Sequence, residues 1–549
     1  MFPTLRHAMT WLHTWFGLVL GYVLVVVFFF GTLSVFDREI DRWAIPQTRF
    51  APQPIPSFDK MLAPILREIA PDAADLAAAR ERIGGTTPAP AVVTEWTAYT
   101  THRDPVLLLY SEYAVGKDPA APDAVVYGHA TIDPRDGRLL PGDPLKIGSE
   151  FFYPMHIGLH LTWNNVGYWI VGLAALAMLC ALVSGVIIHR RLFREFFTFR
   201  PRKNAQRSTL DLHNLTGVAA LPFHFFFALS GLTIFAAMYF PVSETLLKAQ
   251  AQAAQVAQAQ SRGLPAAAAG VAAPLASVDA MVAEAKRRWA ARGMPGDVGM
   301  LQVEHVGDRN AIVAIYRAGT DRVALLGQAI HFEGTTGRVL HEEPPASVVT
   351  GINDFLTGLH LQQFDHWLLR WFYVAGGLTG CACIVTGFLF FVEKRKRQHA
   401  RAGTGGARWA DAMAVATVTG TLVATLALLV ANRLLPDDLA DRNAWEQRAF
   451  WGAWLLAFAH AAWRSAPVAI AQPSPAWREQ SAAVAALAWA AVALNAATTG
   501  DHLPAAIARG YWPVAGLDLA LLVVGACAAA VVVTLRVRRE DAPLEARHA

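Results

Sequence analysis

The chain has 549 residues, of which 54% are hydrophobic and 16% charged, and its formal net charge is +4. So small a charged share excludes an ordinary soluble protein, and so slight a basic excess gives no reason to invoke nucleic acid. The apolar residues fall in uninterrupted runs, and runs of ~20 residues are what ~30 Å of hydrocarbon requires.

The first segment, 1–37, carries the apolar run 15–36. That run exceeds the ~7–15-residue core of a cleaved signal. It continues into Asp37-Arg38-Glu39 with no small-residue cleavage pattern, so it reads as a retained helix. A polar segment, 38–152, follows. It opens with a helical pattern over 58–70, turns to strand-like alternation in VLLLYSEY and VVYGHATID, and closes on DPRDGRLL, a hairpin signal. Segment 153–189 holds the second run, 166–188, and 190–209 is a basic loop. Segment 210–240 holds the third run, 215–240. The second polar segment, 241–353, contains a low-complexity Ala/Gln stretch (249–273), a helical pattern over 278–291, the strand-like MLQVEHV, NAIVAIYRA and LLGQAIHFE, and the turn EGTTGRVL. Segment 354–393 holds the fourth run, 371–392, and 394–409 is again basic. Residues 410–539 hold four looser runs, 412–432, 449–463, 482–499 and 511–535.

The fold class expected is therefore an all-α polytopic membrane protein of about eight transmembrane helices, with two small α+β domains outside the membrane. Lys and Arg concentrate after the second, fourth and eighth runs, as in Arg190, Arg191, Arg194, Lys394, Arg395 and Lys396. By the positive-inside rule those sides, and both termini, are cytoplasmic and the polar segments lie opposite.

The chain also repeats itself at an offset of 200 residues. His13 in HTWFGL matches His213 in HNLTGV, Gly17 matches Gly217, and Gly31 matches Gly231. The four letters GLHL hold His160 and recur around His360, and the turn at Gly137 recurs at Gly337. A fixed period of this kind marks a duplicated structural unit. His13 and His213 each stand just before an apolar run that enters from the cytoplasm, so they share a depth. His160 and His360 precede the second and fourth runs and share a depth on the other side. Iron in a haem takes two axial ligands, and neutral imidazole suits it. The spacing therefore points to two haems, held by His13 with His213 and by His160 with His360.

A lone boundary histidine is an ordinary interfacial residue; four in two register-preserved pairs point to ligation. His156, one turn from His160, is a reserve ligand or a propionate contact. His224 follows His213 by three turns and falls near mid-membrane, where polar groups are rare and functional. Zinc on His156, His160 and His360 is the competing reading, but no Cys or acidic cluster joins them at ligand spacing. Cys180, Cys381, Cys383 and Cys527 all lie in apolar runs and no CxxCH occurs, so any haem is non-covalent haem b. Trp163, Tyr168, Phe364 and Trp367 form either an interfacial aromatic belt, the favoured reading, or a platform for a bound chelate.

The stretches HTWFGLVLGYVLVVVFFFGTLSVFDREIDRW, PMHIGLHLTW, SGVIIHRRLFREFFTFRP, LDLHNLTGVAALPFHFFFALSGL and TGLHLQQFDHWLLRWFYVAGGLTG, in this order over about residues 5–397, resemble the PepSY-associated transmembrane family, iron-regulated inner-membrane proteins of Gram-negative bacteria. The resemblance implies four helices around haem, two periplasmic PepSY-type domains, and reduction of ferric siderophores. Its pattern falls on His13, His160, His213 and His360, with His156, His189 and His224 as further family-like histidines. The extra spans of 410–535 depart from it. The expected partners are a ferric siderophore, membrane lipid and an electron donor, either quinol or a cytoplasmic reductase. Two other functions stay open: a haem electron conduit for another periplasmic acceptor, and a non-redox membrane regulator.

Overall fold

The computed structural model describes residues 4–540 except 51–54, 56, 66–72, 83–91, 101–105, 116–124, 143–144, 190–199, 201–204, 240–252, 254–256, 258–260, 266, 326–327 and 466–473. Most of the first basic loop and much of the Ala/Gln stretch lie outside the described residues, as does the helical pattern beyond Ile65. The chain forms two compact units. One is Met1–Arg49, Asp143–Phe235 and Trp367–Ala549; the other is Phe50–Gly142 and Ala236–His366.

The first unit is helical. Among the described residues, five helices are long and apolar enough to cross a membrane: Trp163–Ile188, Trp367–Lys396, Gly406–Leu434, Pro475–Thr499 and Trp512–Val537. Two bent pairs, Leu5–Val19 with Gly21–Ser34 (59°) and Ala205–Ala219 with Leu221–Ile234 (65°), bring the number to seven if each is one span. Against about eight expected spans, the described residues thus offer five to seven candidates. The sixth run lies in Arg442–Arg464, whose first two turns carry Arg442, Glu446 and Arg448, too polar a start for a span. The bends fall at Leu20 and Ala220, 200 residues apart, so the duplication extends to backbone geometry. Pro222 opens the later helix with no N–H to give back to the preceding turn. The fourth span does not stop at Val392; the helix runs Trp367–Arg401 through Lys394, Arg395 and Lys396, residues that favour helix.

The C-terminal helices are joined to the rest of this unit by packing and by buried polar contacts. Phe450 meets Phe30 and Phe151 at ring-centroid distances of 6.0 and 4.8 Å. Trp43 Nε1 donates to Asp518 (2.8 Å), and Arg49 donates to Asp501 (2.9 Å) and Asn495 (2.8 Å). Glu446, fully buried, accepts from Asn432, Arg442 and the amide of Leu145.

The second unit is α+β. Its strands are β1 Val92–Tyr99, β2 Leu107–Ala114, β3 Val125–Ile132, β4 Val298–Glu304, β5 Ile312–Arg317, β6 Ala329–Glu333 and β7 Val339–Glu342. The two polar segments do not make separate sheets as the sequence suggested. Their strands form one antiparallel sheet, β3-β2-β1-β4-β5-β6-β7. The junction is β1 against β4, with Trp96 opposite Val303 and Ala98 opposite Leu301. Pairing there removes two open edges that would otherwise invite aggregation. One core serves both halves: Trp96, Leu107 and Leu109 from the first, Met281, Trp289, Leu301, Val313 and Phe332 from the second. Burying each large side chain contributes roughly 1.5–3 kcal/mol.

Candidate functional site

The cavity between the duplicated helices lies wholly within the first unit. It encloses about 390 Å³ and is walled by both bent pairs and by Val166–Ile188 and Trp367–Arg401. His13, His189, His213 and His224 all line it, with Gly17, Gly185, Gly217 and Gly387 among its walls. Lys394 and Arg395 stand at its border, Arg395 against the rings of Trp15 and Phe391.

His13 and His213 face each other across 6.0 Å between ring centroids, with planes at 81°. Each is held by the duplicated second helix in the same way. His13 Nδ1 donates to the carbonyl of Ala181 (3.0 Å), with Ser184 Oγ 3.2 Å away. His213 Nδ1 donates to the carbonyl of Cys383 (2.7 Å). Four residues beyond each acceptor is a glycine, Gly185 or Gly387, on which a Cβ would already stand 3.4 Å from the imidazole. A Cβ there would already be in van der Waals contact with the ring, so each glycine forms the floor on which its imidazole lies. Ser184-Gly185 and Thr386-Gly387 were the unread signal: they repeat at an offset of 202, not 200. Cys383, taken from the sequence as a small apolar residue, places Sγ 3.6 Å from His213 Nδ1.

The other histidines differ. His156 Nδ1 donates to the carbonyl of Val27 (2.9 Å), and its ring lies on Gly31, where a Cβ would come within 2.7 Å. His160 has a left-handed backbone (φ 54°) and stacks on Phe151 at 4.5 Å, and its Nε2 donates to the carbonyl of Phe151 (3.0 Å). His224 is buried with its edge to Phe28, and its Nε2 lies 3.3 Å from the carbonyl of Gly376. His189 caps Val166–Ile188 through its amide, which bonds Gly185 O at 3.0 Å. His360 belongs to the second unit, in the last turn of Val348–Leu361. Among the described residues no group of three or more His, Cys, Asp or Glu is arranged to hold a metal ion, so nothing here supports the zinc reading. Of the four aromatics read as a belt or platform, Trp163 and Trp367 are exposed, but Phe364 is buried and belongs to neither.

Fold and cavity together define a multi-pass membrane protein with a duplicated helical unit and an α+β sheet. The chain belongs to the PepSY-associated TM region family, whose model matches residues 10–394. It is also similar to "Uncharacterized protein PA4219" of Pseudomonas aeruginosa, with 28% identity over 384 residues, covering 66% of this chain and 88% of that protein. The C-terminal helices from Gly406 onward lie beyond the family match.

Proposed function

We propose that this protein is an inner-membrane haem-b oxidoreductase that passes electrons across the bilayer and reduces a periplasmic ferric siderophore, releasing ferrous iron. The observation that carries the reading is the His13–His213 pair. His13 and His213 would hold the haem iron between them, and their rings stand 6.0 Å apart by centroid across the cavity. Ligating imidazoles characteristically give their other nitrogen to a carbonyl, which fixes tautomer and ring orientation, and both do so. The glycine walls leave room for a flat macrocycle, and Lys394 and Arg395 offer cations to its carboxylates. A haem at this position supplies one-electron transfer. The chain's own part is to hold two imidazoles at fixed depth, exclude water with apolar helix faces, and set the local charge.

The repeat assigns a second haem to the other side of the membrane, with His160 and His360 as the ligands read from sequence. By the positive-inside count that side is periplasmic, where a ferric chelate arrives; the donor is quinol or a cytoplasmic reductase. A reduced-minus-oxidised spectrum of the purified protein tests the reading. Two low-spin b-type haems per chain are expected. Protein produced with ample haem that shows no haem spectrum would overturn it and favour the non-redox regulator.

A further inference from the structure

The helix Val348–Leu361 carries apolar residues at the spacing of one helical face, and that face is bare. Val348, Ile352 and Phe355 stand at i, i+4 and i+7, with Val349 beside them. They are 80%, 57%, 47% and 78% exposed. The helix's one formally charged residue, Asp354, falls outside the stripe by its spacing. The helix is seated from another side. Gly358 is buried against the segment 323–325, where a Cβ would meet Val323 O at 1.9 Å, and the amide of Leu325 donates to Asp354 O (3.1 Å).

We propose that this face is immersed in lipid, and that Val348–Leu361 is an amphipathic helix lying in the headgroup region of the bilayer. Chain continuity points to lipid. Only the segment 362–366 separates the helix from Trp367–Lys396, a candidate span whose first turns expose Trp367 and Trp371. A segment of that length reaches at most about 18 Å, and exposed tryptophans at the start of a span mark the membrane interface. The segment is also tied back, since the amide of Asp365 donates to Thr320 O (2.9 Å).

The 200-residue repeat points the same way. Ile352 stands where Phe152 stands in the first half, and Phe355 where Met155 stands. Phe152 and Met155 are 1% and 0% exposed, packed within the helical unit, with Phe152 5.3 Å from the ring of Phe30. In the first half, therefore, the chain's own membrane helices cover these positions. In the second half, among the described residues, nothing covers Ile352 and Phe355, and lipid is the apolar medium beside a span. The chemistry of the face sets the kind of surface. The helix has no Lys or Arg to draw anionic headgroups, so immersion rests on apolar area and is indifferent to lipid charge.

Nitroxide labels read the neighbour of each position in the full-length protein, reconstituted in phosphatidylcholine vesicles with or without phosphatidylglycerol. The variants Val348→Cys, Ile352→Cys, Phe355→Cys and, as control, Asn353→Cys are each made with Cys180, Cys381, Cys383 and Cys527 replaced by alanine. Labels at 348, 352 and 355 are expected to collide with oxygen, which partitions into lipid, and to be shielded from a water-soluble nickel chelate. The label at 353 should show the reverse. Phosphatidylglycerol and high salt should change none of this. Nickel access at 348, 352 and 355 equal to that at 353 would overturn the proposal. So would dipolar broadening between labels that disappears on dilution with unlabelled protein, because a second copy would then cover the face. Should the cysteine-free chain fail to fold, benzoylphenylalanine at 352 in the otherwise native protein reads the same neighbour on illumination. Lipid adducts by mass spectrometry are then the expected result, and a crosslinked dimer or no lipid adduct would overturn it.

Discussion

Asp59 and Asp279 each cap the other's helix. Asp279 accepts from the amide of Phe58 (2.7 Å) and from Ser57 Oγ (2.5 Å); Asp59 accepts from the amide of Val278 (2.7 Å) and from Ser277 Oγ (2.6 Å). The helices Phe58–Ile65 and Val278–Ala291 come from the two polar segments, so the exchange is the duplication made physical. Turns beside them agree: Gly137 approaches Met61 as Gly337 approaches Met281.

A carboxylate at a helix N-terminus satisfies orphan amides and favours the helix dipole, and loss of a cap costs about 0.5–2 kcal/mol. Asp59→Ala and Asp279→Ala are each expected to destabilise the sheet unit by about 1–2 kcal/mol. Native-state hydrogen exchange at β1 and β4 amides reads this unit separately. The Asp59→Ala effect should appear most strongly at Val278 and Asp279; equal exchange at those amides in wild type and variant would refute the exchange of caps.

Glu95 lies directly opposite Glu304 across β1 and β4, and opposite Glu112 across β1 and β2. Like charges in register weaken a sheet by roughly 0.2–1 kcal/mol per pair. Burial, and then Glu95, push the Glu304 carboxyl above its ordinary range. A raised carboxyl loses stability as pH climbs through the unfolded value, so the strain is largest at neutral pH. Glu304→Gln should therefore raise stability at pH 7 by up to about 1 kcal/mol and gain less on acidification. A variant no more stable than wild type at pH 7 would show that Gln302, which donates to Glu95 at 2.6 Å, already offsets the repulsion.

His331 gives the opposite pH dependence. Its imidazole is buried on β6, and burial, then Arg262 and His341, lower its pKa from 6.5 to about 4. Below pH 6.5 the unfolded chain takes a proton that the folded chain refuses, so stability is full above 6.5 and falls until pH 4. The loss over that window is at most about 3 kcal/mol. In His331→Phe the slope between pH 6.5 and 4 should flatten. An unchanged slope would assign the acid sensitivity to other groups.

The sequence made some of this legible for physical reasons. The helix Val278–Ala291 and the strands around VLLLYSEY and NAIVAIYRA were readable because periodicity reports burial on one face. The strand Val92–Tyr99 was not read. It pairs on both sides, and its value to the fold is the junction with β4, a contact between residues some 200 apart that no local pattern encodes. His13 and His213 were readable because a duplication keeps register. The carbonyls that aim them were not, since any residue supplies a carbonyl. Only the glycines four residues on leave a trace in the letters.

Glu446 tests how the C-terminal helices are held. It is fully buried and accepts from Arg442 Nε (3.2 Å), Asn432 Nδ2 (2.8 Å) and the Leu145 amide (3.1 Å). Removing one partner of a buried pair leaves the other charge uncompensated and costs about 3–5 kcal/mol. Glu446→Ala should loosen the C-terminal helices from the Leu145 segment, seen as proteolysis between them and a lower melting temperature. Glu446→Gln, whose single amide oxygen can still accept from Asn432 and Arg442 but not also from the Leu145 amide, should lose less. Equal losses in both variants would assign the effect to charge rather than to the lost acceptor.

The glycines beneath His13 and His213 allow a test of the proposed haem site that leaves both histidines in place. At Gly387 a Cβ already stands 3.4 Å from His213, and at Gly185 the same distance from His13. Valine adds two methyls there, and the imidazole must leave its carbonyl by rotating off its rotamer. The side-chain cost is about 1 kcal/mol, small against folding, so the protein should remain intact while the ligand is misaimed. Gly387→Val is expected to convert the inner haem to high spin or to release it, and Gly185→Val to do the same through His13. Gly142→Val, at a site where a Cβ meets nothing within 4 Å, is the control and should leave the spectrum unaltered. Absorbance and electron paramagnetic resonance of the three purified variants decide it. A wild-type low-spin spectrum in both Gly387→Val and Gly185→Val would mean that His13 and His213 do not ligate iron, whatever their separation.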